Sequence, residues 1–200
     1  MSNIYYQNLI QSVLDASASD NWKDAVLEWS IVDCEEDESC SSSCVCGKEN
    51  LRYLFTIRND RTGKFLYPIG STCIKKFERA DLDEEVNIKV ELYHLAHAIR
   101  KGEYIELNSQ YFSRKLLRAL WEMDAFPGNR YNKYDGFNDY QFLLDMYNKK
   151  YKDDITKAQK KKIGILIGYT IKPFLQKNLK YIQKNSERKS TTPLPCVVGL

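Results

Sequence analysis

Apolar residues close to the N-terminus recur at the spacing of one helix face, and they predict an amphipathic helix over residues 3–17. Residues 27–33 then alternate apolar with polar side chains, a pattern typical of a half-buried strand. A second alternating run, residues 51–58, leads through a glycine-containing turn into a shorter run that ends at Tyr67, which predicts a β-hairpin. Pro68 cannot donate a backbone hydrogen bond, so the returning strand either ends there or lies at a sheet edge.

After Phe77 the apolar spacing becomes helical and remains so through most of the chain. A loop rich in Pro, Gly, Asn and aromatic residues, 126–137, interrupts this pattern. The sequence Thr-Lys-Ala-Gln at 156–159 matches a capping box and predicts a long final helix. Predicted helices begin at Asp81, at Ser109, at Asn138 or Asp139, and at Thr156.

These elements predict an α+β protein that divides near residue 80. Residues 1–80 are expected to form an N-terminal helix and a small β-hairpin module, and residues 81–185 an all-helical domain. Residues 186–200 have no periodicity and are predicted to form a flexible tail.

Four of the six cysteines lie between Cys34 and Cys46, without a secretory signal, which favours metal binding over disulfides. The knuckle Cys44-Val45-Cys46-Gly47 places two sulfurs in one turn, and Cys73 follows a Ser-Thr pair that can open a helix. Thiolate is a soft ligand that favours Zn²⁺, so we expect a structural zinc site that stabilises the β-hairpin module. The predicted ligands are Cys40, Cys44, Cys46 and Cys73.

The fourth ligand has alternatives, because Cys34 can replace Cys40, and His94 or His97 stands in reserve. The competing interpretation is a set of surface thiols that hold no metal. His94 and His97 share a helix face, which also allows acid–base chemistry. The sequence has no nucleophile elbow, phosphate-binding glycine loop or recognisable carboxylate pair, so the protein is not expected to be an enzyme.

The net charge of +3 conceals a strong division along the chain. Residues 1–45 contain one lysine and nine acidic residues, whereas residues 149–190 contain thirteen Lys or Arg and three acidic residues. This asymmetry suggests a basic surface for an anionic partner, unless both ends are solvated faces that attract each other. Cations interleaved with aromatic rings are typical of nucleic-acid contacts. The candidate contacts are Arg130, Tyr131, Lys133, Tyr134, Lys157, Lys160, Lys161 and Lys162.

No apolar run approaches the roughly 20 residues that span a bilayer. The N-terminus also lacks a basic segment followed by an apolar one. A soluble, cytoplasmic protein without a membrane partner is therefore expected.

The segments 44–59 and 68–77, with their CxCG and GSxCIxxF motifs, resemble an uncharacterised family of phage and mobile-element proteins of low-GC Gram-positive bacteria. The resemblance covers residues 26–80 well. It implies a treble-clef-like or ribbon-like zinc module with Cys44, Cys46 and Cys73 as ligands. Position 76 is a lysine, where a second helix-borne ligand of a treble clef would stand.

A mobile-element origin implies two roles. The protein would bind nucleic acid or a nucleoprotein through its basic helical face. Alternatively, it would inhibit a host defence complex, as anti-CRISPR proteins block CRISPR effector nucleases. In that alternative an acidic loop competes for a basic nucleic-acid channel. The loop consists of Glu35, Glu36, Asp37 and Glu38.

Overall fold

The computed structural model describes residues 4–181, which divide into two compact units. The first unit contains residues 4–87 and 180–181, and the second contains Ile88–Leu179. The boundary between the two units therefore falls after Asn87, whereas the sequence analysis predicted a boundary near residue 80. The predicted tail, 186–200, lies outside the described residues.

The first unit combines helices with a four-stranded sheet of order β3-β2-β1-β4. The β1–β2 and β2–β3 pairs are antiparallel, and the short β4 runs parallel to β1. The α+β prediction is thereby confirmed. The elements are α1 Ile4–Ala16, α2 Trp22–Ala25, β1 Trp29–Glu36, β2 Tyr53–Asn59, β3 Phe65–Ile69, α3 Ser71–Lys75 and β4 Lys180–Tyr181.

The predicted hairpin is present as β2 and β3. Leu66 is paired with Ile57, and β3 continues past Pro68 to Ile69. Since β3 is the outer strand of the sheet, Pro68 occupies an edge, where a missing backbone N–H is tolerated. Trp29 at the start of β1 is fully buried, and its indole N–H donates to the Ser17 hydroxyl at 3.0 Å.

Glu28 is a buried carboxylate that the sequence patterns did not single out. It accepts hydrogen bonds from the Ser19 hydroxyl, the Asn59 amide, the Ala18 and Ser19 backbone N–H groups, and the Arg61 guanidinium. The Ser19 hydroxyl, with support from Asn59 and both N–H groups, lowers the pKa of Glu28 to about 2 although burial opposes the shift. This carboxylate thus fastens the end of α1 to the turn after β2.

The low pKa of Glu28 predicts a specific acid sensitivity. A carboxyl group whose pKa falls on folding stabilises the fold above its unfolded pKa, and this stabilisation disappears as the pH falls toward the folded pKa. We expect Glu28→Gln to be less stable than the parent at neutral pH and to approach it between pH 4.5 and pH 2. Urea unfolding midpoints measured across this pH range, with the exposed Glu49→Gln as control, test the prediction. Parallel pH curves for Glu28→Gln and the parent would contradict it.

The second unit is built from helices around a core of leucine, isoleucine and aromatic side chains. A π-helical segment, Ile167–Ile171, joins its last two helices. None of the helices in residues 4–181 is long and apolar enough to cross a membrane. The helices are α4 Ala80–Arg100, which begins in the first unit, α5 Arg114–Glu122, α6 Phe137–Asn148, α7 Lys157–Leu166 and α8 Lys172–Asn178.

Three helix starts in the second unit can be compared with their predictions. The capping box before α7 is confirmed, since the Thr156 side chain accepts from the Gln159 N–H and the reciprocal bond is also present. α5 is capped by Ser113, whose hydroxyl accepts from the Leu116 N–H, so the predicted start at Ser109 was too early. α6 begins after Gly136, before the predicted Asn138 or Asp139 could cap it.

Candidate metal centre and nucleic-acid interface

The cysteine knuckle is a hydrogen-bonded turn attached to the sheet. The Gly47 N–H donates to the Cys44 carbonyl at 2.7 Å, and Gly47 has a φ of +91°, a conformation that glycine adopts without a Cβ penalty. Val45 between the two cysteines donates to the Pro68 carbonyl of β3 at 2.9 Å. The edge strand thus fixes the position of both sulfurs.

Cys73, in the first turn of α3, completes a group of three sulfurs. Its Sγ lies 3.6 Å from that of Cys44 and 3.4 Å from that of Cys46, and all three side chains are buried. The Gly70 N–H donates to the Cys44 sulfur at 3.3 Å. All three sulfurs lie within 4.8 Å of one another, so the group can hold a metal ion.

The three thiols are electrostatically unequal. The Cys73 hydrogen bond, with the backbone N–H groups of Cys46 and Gly70, lowers the pKa of Cys44 to about 5 against the effect of burial. The hydrogen bond to Cys44 and burial raise the pKa of Cys73, and burial raises that of Cys46. Three sulfurs cannot easily all ionise at this spacing without a cation between them. A metal ion held by the group would supply that charge, and its binding would release the remaining protons.

The predicted four-cysteine set is not brought together. Cys40, the preferred fourth ligand, is disulfide-bonded, and a disulfide sulfur is not an anionic thiolate ligand. Cys34, the alternative, is a buried thiol of β1 that lies outside the three-sulfur group. His94 and His97 belong to α4 in the second unit. Within the described residues of the first unit, the metal group therefore consists of Cys44, Cys46 and Cys73.

α1 closes over the knuckle, an arrangement that the sequence patterns did not reveal. The Asn8 amide donates to the Cys46 carbonyl at 3.1 Å. Lys76, where a treble clef would have a ligand, places its ammonium 4.9 Å from the centroid of the Tyr6 ring. Tyr6 in turn contacts Trp22 edge to face. The N-terminal helix is thus part of the support of the cysteine group.

The predicted acidic loop is partly strand, because Glu35 and Glu36 are the last two residues of β1, paired with Leu54 and Tyr53 of β2. Glu36 is buried and lies 3.3 Å from the Arg52 guanidinium. Burial raises the pKa of Asp37, but serine hydrogen bonds outweigh it and lower the pKa below its ordinary value. Glu38 is exposed and Glu35 is half-buried. The donors to Asp37 are Ser39, Ser41 and Ser42.

We call residues 127–136 the ring–cation loop. Its buried Asn132 donates to the Pro127 carbonyl at 2.9 Å and to the Asp139 carboxylate at 2.8 Å. The chain passes very close to itself at Gly136, where an added Cβ would lie 1.9 Å from the Phe126 carbonyl oxygen. These contacts fix the course of the loop.

The rings of this loop point outward. Tyr131 and Tyr134 are 77% and 78% exposed. The Arg130 guanidinium lies 4.7 Å from the centroid of the Tyr131 ring and donates to the Tyr131 hydroxyl. Lys133 and Tyr134 both adopt left-handed backbone conformations, with φ of 57° and 60°. Such conformations in non-glycine residues carry strain and are enriched at functional sites.

The lysines of α7 divide into two groups. Lys157, Lys160 and Lys161 are exposed. Lys162 is half-buried, and its ammonium lies 2.9 Å from the Asp139 carboxylate, the same carboxylate that accepts from Asn132. The structure therefore brings the two predicted nucleic-acid segments together, and Lys162 connects them.

Comparison of the chain with protein-family models, with curated proteins and with solved structures finds no match.

Proposed function

We propose that this protein is a non-enzymatic, metal-stabilised binding protein that contacts nucleic acid through its second unit. The observation that carries the proposal is the ring–cation loop, which is joined to the lysine-bearing α7 through the buried Asn132–Asp139–Lys162 contacts. In this proposal the cysteine group maintains the first unit and supplies three of the four ligands that Zn²⁺, the expected ion, takes in tetrahedral coordination. The loop and α7 bind the partner.

The distribution of charge supports this assignment. Residues 88–179 contain seventeen Lys or Arg and ten Asp or Glu, whereas residues 4–87 contain nine and sixteen. The positive excess belongs to the unit that contains the exposed rings. A positively charged surface attracts phosphate backbones over a distance of about one Debye length, near 8 Å at physiological salt.

The alternative role, inhibition of a host nucleoprotein through the acidic loop, has weaker support. Glu36 and Asp37 are buried, and their charges are directed to Arg52 and to serine donors. Because they are buried, these two carboxylates are not accessible for contact with the basic channel of a partner. The assignment to a phage or mobile element remains a prediction from the resemblance.

Replacing Lys160 and Lys161 by glutamine tests the role of α7. We expect weaker binding of a fluorescent oligonucleotide in fluorescence anisotropy. The slope of log affinity against log salt should fall by about 0.7–0.9 for each phosphate that the variant no longer neutralises, because fewer counterions are released. Lys23→Gln with Lys48→Gln in the first unit is the control, since it removes the same charge.

Two outcomes would contradict the proposal. One is the absence of binding to both single-stranded and double-stranded probes at low salt. The other is binding with the same salt dependence in the α7 variant, the control variant and the parent.

A further inference from the structure

We infer that the ring–cation loop takes single-stranded nucleic acid and stacks unpaired bases on Tyr131 and Tyr134. This inference rests on the proposed function and names its substrate class. A generally basic surface attracts single strands and duplexes alike, so the choice between them must come from features other than charge. The exposed rings of the loop supply such a feature.

The first argument is accessibility. Two tyrosine rings that are more than three-quarters exposed, three positions apart in one short loop, leave a large aromatic surface in water. Base–aromatic stacking covers such rings and tolerates any base, because every base has a π-face. In a duplex these faces are occupied by neighbouring base pairs, whereas an unpaired base can be splayed out onto a protein ring.

The second argument is preorganisation. Asn132 bonds to the Pro127 carbonyl and to Asp139, and Asn129 caps the short helical turn with its side chain. The loop also passes close to itself at Gly128, where an added Cβ would lie 2.6 Å from the Tyr134 carbonyl oxygen. A loop held in this way loses little conformational entropy when it binds, so stacking is not cancelled by ordering costs.

The third argument is the placement of cations next to the rings. Arg130 lies over the Tyr131 ring and orients it, and Lys133 directly precedes Tyr134. A strand whose bases stack on the two rings therefore meets cations within the same loop. The Lys162–Asp139 ion pair holds α7 against this region and adds its exposed lysines to the phosphate path.

The test compares four probes of about 16 nucleotides, the upper end of single-strand site sizes. They are oligo-dT, oligo-U, a matched DNA duplex, and an abasic strand that keeps the phosphates but has no bases. Fluorescence anisotropy of the full chain is measured against each. We expect both single strands to bind more tightly than the duplex and the abasic strand. A difference in affinity between oligo-dT and oligo-U identifies DNA or RNA as the preferred type of single strand.

Ring variants separate stacking from charge. Tyr131→Leu and Tyr134→Leu should each weaken single-strand binding by about 5- to 150-fold, the range expected when the stacking of one base is removed. The matched Tyr131→Phe and Tyr134→Phe keep the ring and should remain near the parent. The salt slope should stay the same in all four, since every charged side chain is retained.

The inference is overturned if the duplex or the abasic strand binds as tightly as oligo-dT and oligo-U. It is also overturned if the leucine variants bind single strands as the parent does. In either case a steep salt dependence would leave the proposed nucleic-acid function standing. Binding to none of the probes would overturn both.

Discussion

Cys73→Ser is expected to lose its metal and to unfold the first unit. Structural zinc binding contributes apparent free energies of about 10–16 kcal/mol in zinc-finger peptides, which equals or exceeds the total stability of about 5–15 kcal/mol of a typical domain. A unit of this size buries a small apolar core, because small domains hide less of their surface on folding. The three sulfurs connect the knuckle to α3, and the Val45 N–H connects the knuckle to Pro68 of β3. Without the Cys73 sulfur, α3 is no longer attached to the knuckle and the sheet through this group.

Metal content by elemental analysis and thermal unfolding by circular dichroism, each with and without a chelator, measure this effect. Cys34→Ala is the matched control, because Cys34 is a buried thiol of the same unit outside the group. The parent and Cys34→Ala should contain metal and lose stability with chelator, whereas Cys73→Ser should be insensitive to it. The prediction fails if the parent contains no metal and chelator leaves its unfolding unchanged.

Local patterns explain which parts of the fold could be predicted. The β2–β3 hairpin follows from alternation and a turn, and the α7 cap follows from a four-residue box. The approach of Cys44, Cys46 and Cys73 could be predicted because the β2–β3 hairpin returns the chain to the knuckle. No other long-range contact has to be assumed to bring the three sulfurs together. All of these depend on residues close in sequence or joined by one hairpin.

The exclusion of Cys40 from the metal group could not be predicted in the same way. Cys40 lies in a turn where Asp37 collects several serine donors, and it has a left-handed φ of 50°. Sequence spacing alone leaves the course of this turn open. The internal hydrogen bonds of Asp37 instead define its course, and only a structure reveals which donors reach one carboxylate.

Lys162 illustrates a similar limit for charged residues. In the sequence it is one of three consecutive lysines, all suited to phosphate contact. In the fold it turns toward α6, pairs with the buried Asp139 and lies over the Phe142 ring at 4.4 Å. Helical geometry separates consecutive lysines by about 100° around the helix axis. One of three adjacent side chains can therefore pair with a buried carboxylate while another faces solvent.

Gly136→Ala is expected to damage both the stability of the second unit and its binding. Gly136 has an ordinary helical φ of −62°, so its role is close approach and not unusual backbone freedom. An added Cβ would lie 1.9 Å from the Phe126 carbonyl oxygen, which requires the backbone to move. Forced rearrangements of this kind cost about 1–3 kcal/mol. Because Tyr134 lies two residues earlier, the shift also displaces a proposed stacking ring.

Gly164→Ala supplies the control within the same unit. Gly164 lies inside α7 with nothing within 4 Å of an added Cβ, so alanine should stabilise the helix by about 0.4–1 kcal/mol. Chemical unfolding and oligo-dT affinity are measured for both variants. We expect Gly136→Ala to lose stability and affinity together and Gly164→Ala to retain affinity. If Gly136→Ala is destabilised but binds oligo-dT with full affinity, the positions of Tyr131 and Tyr134 do not depend on the close approach of Gly136 to Phe126. The preorganisation argument for single-strand stacking would then have to be abandoned, although the role of charge would be untouched.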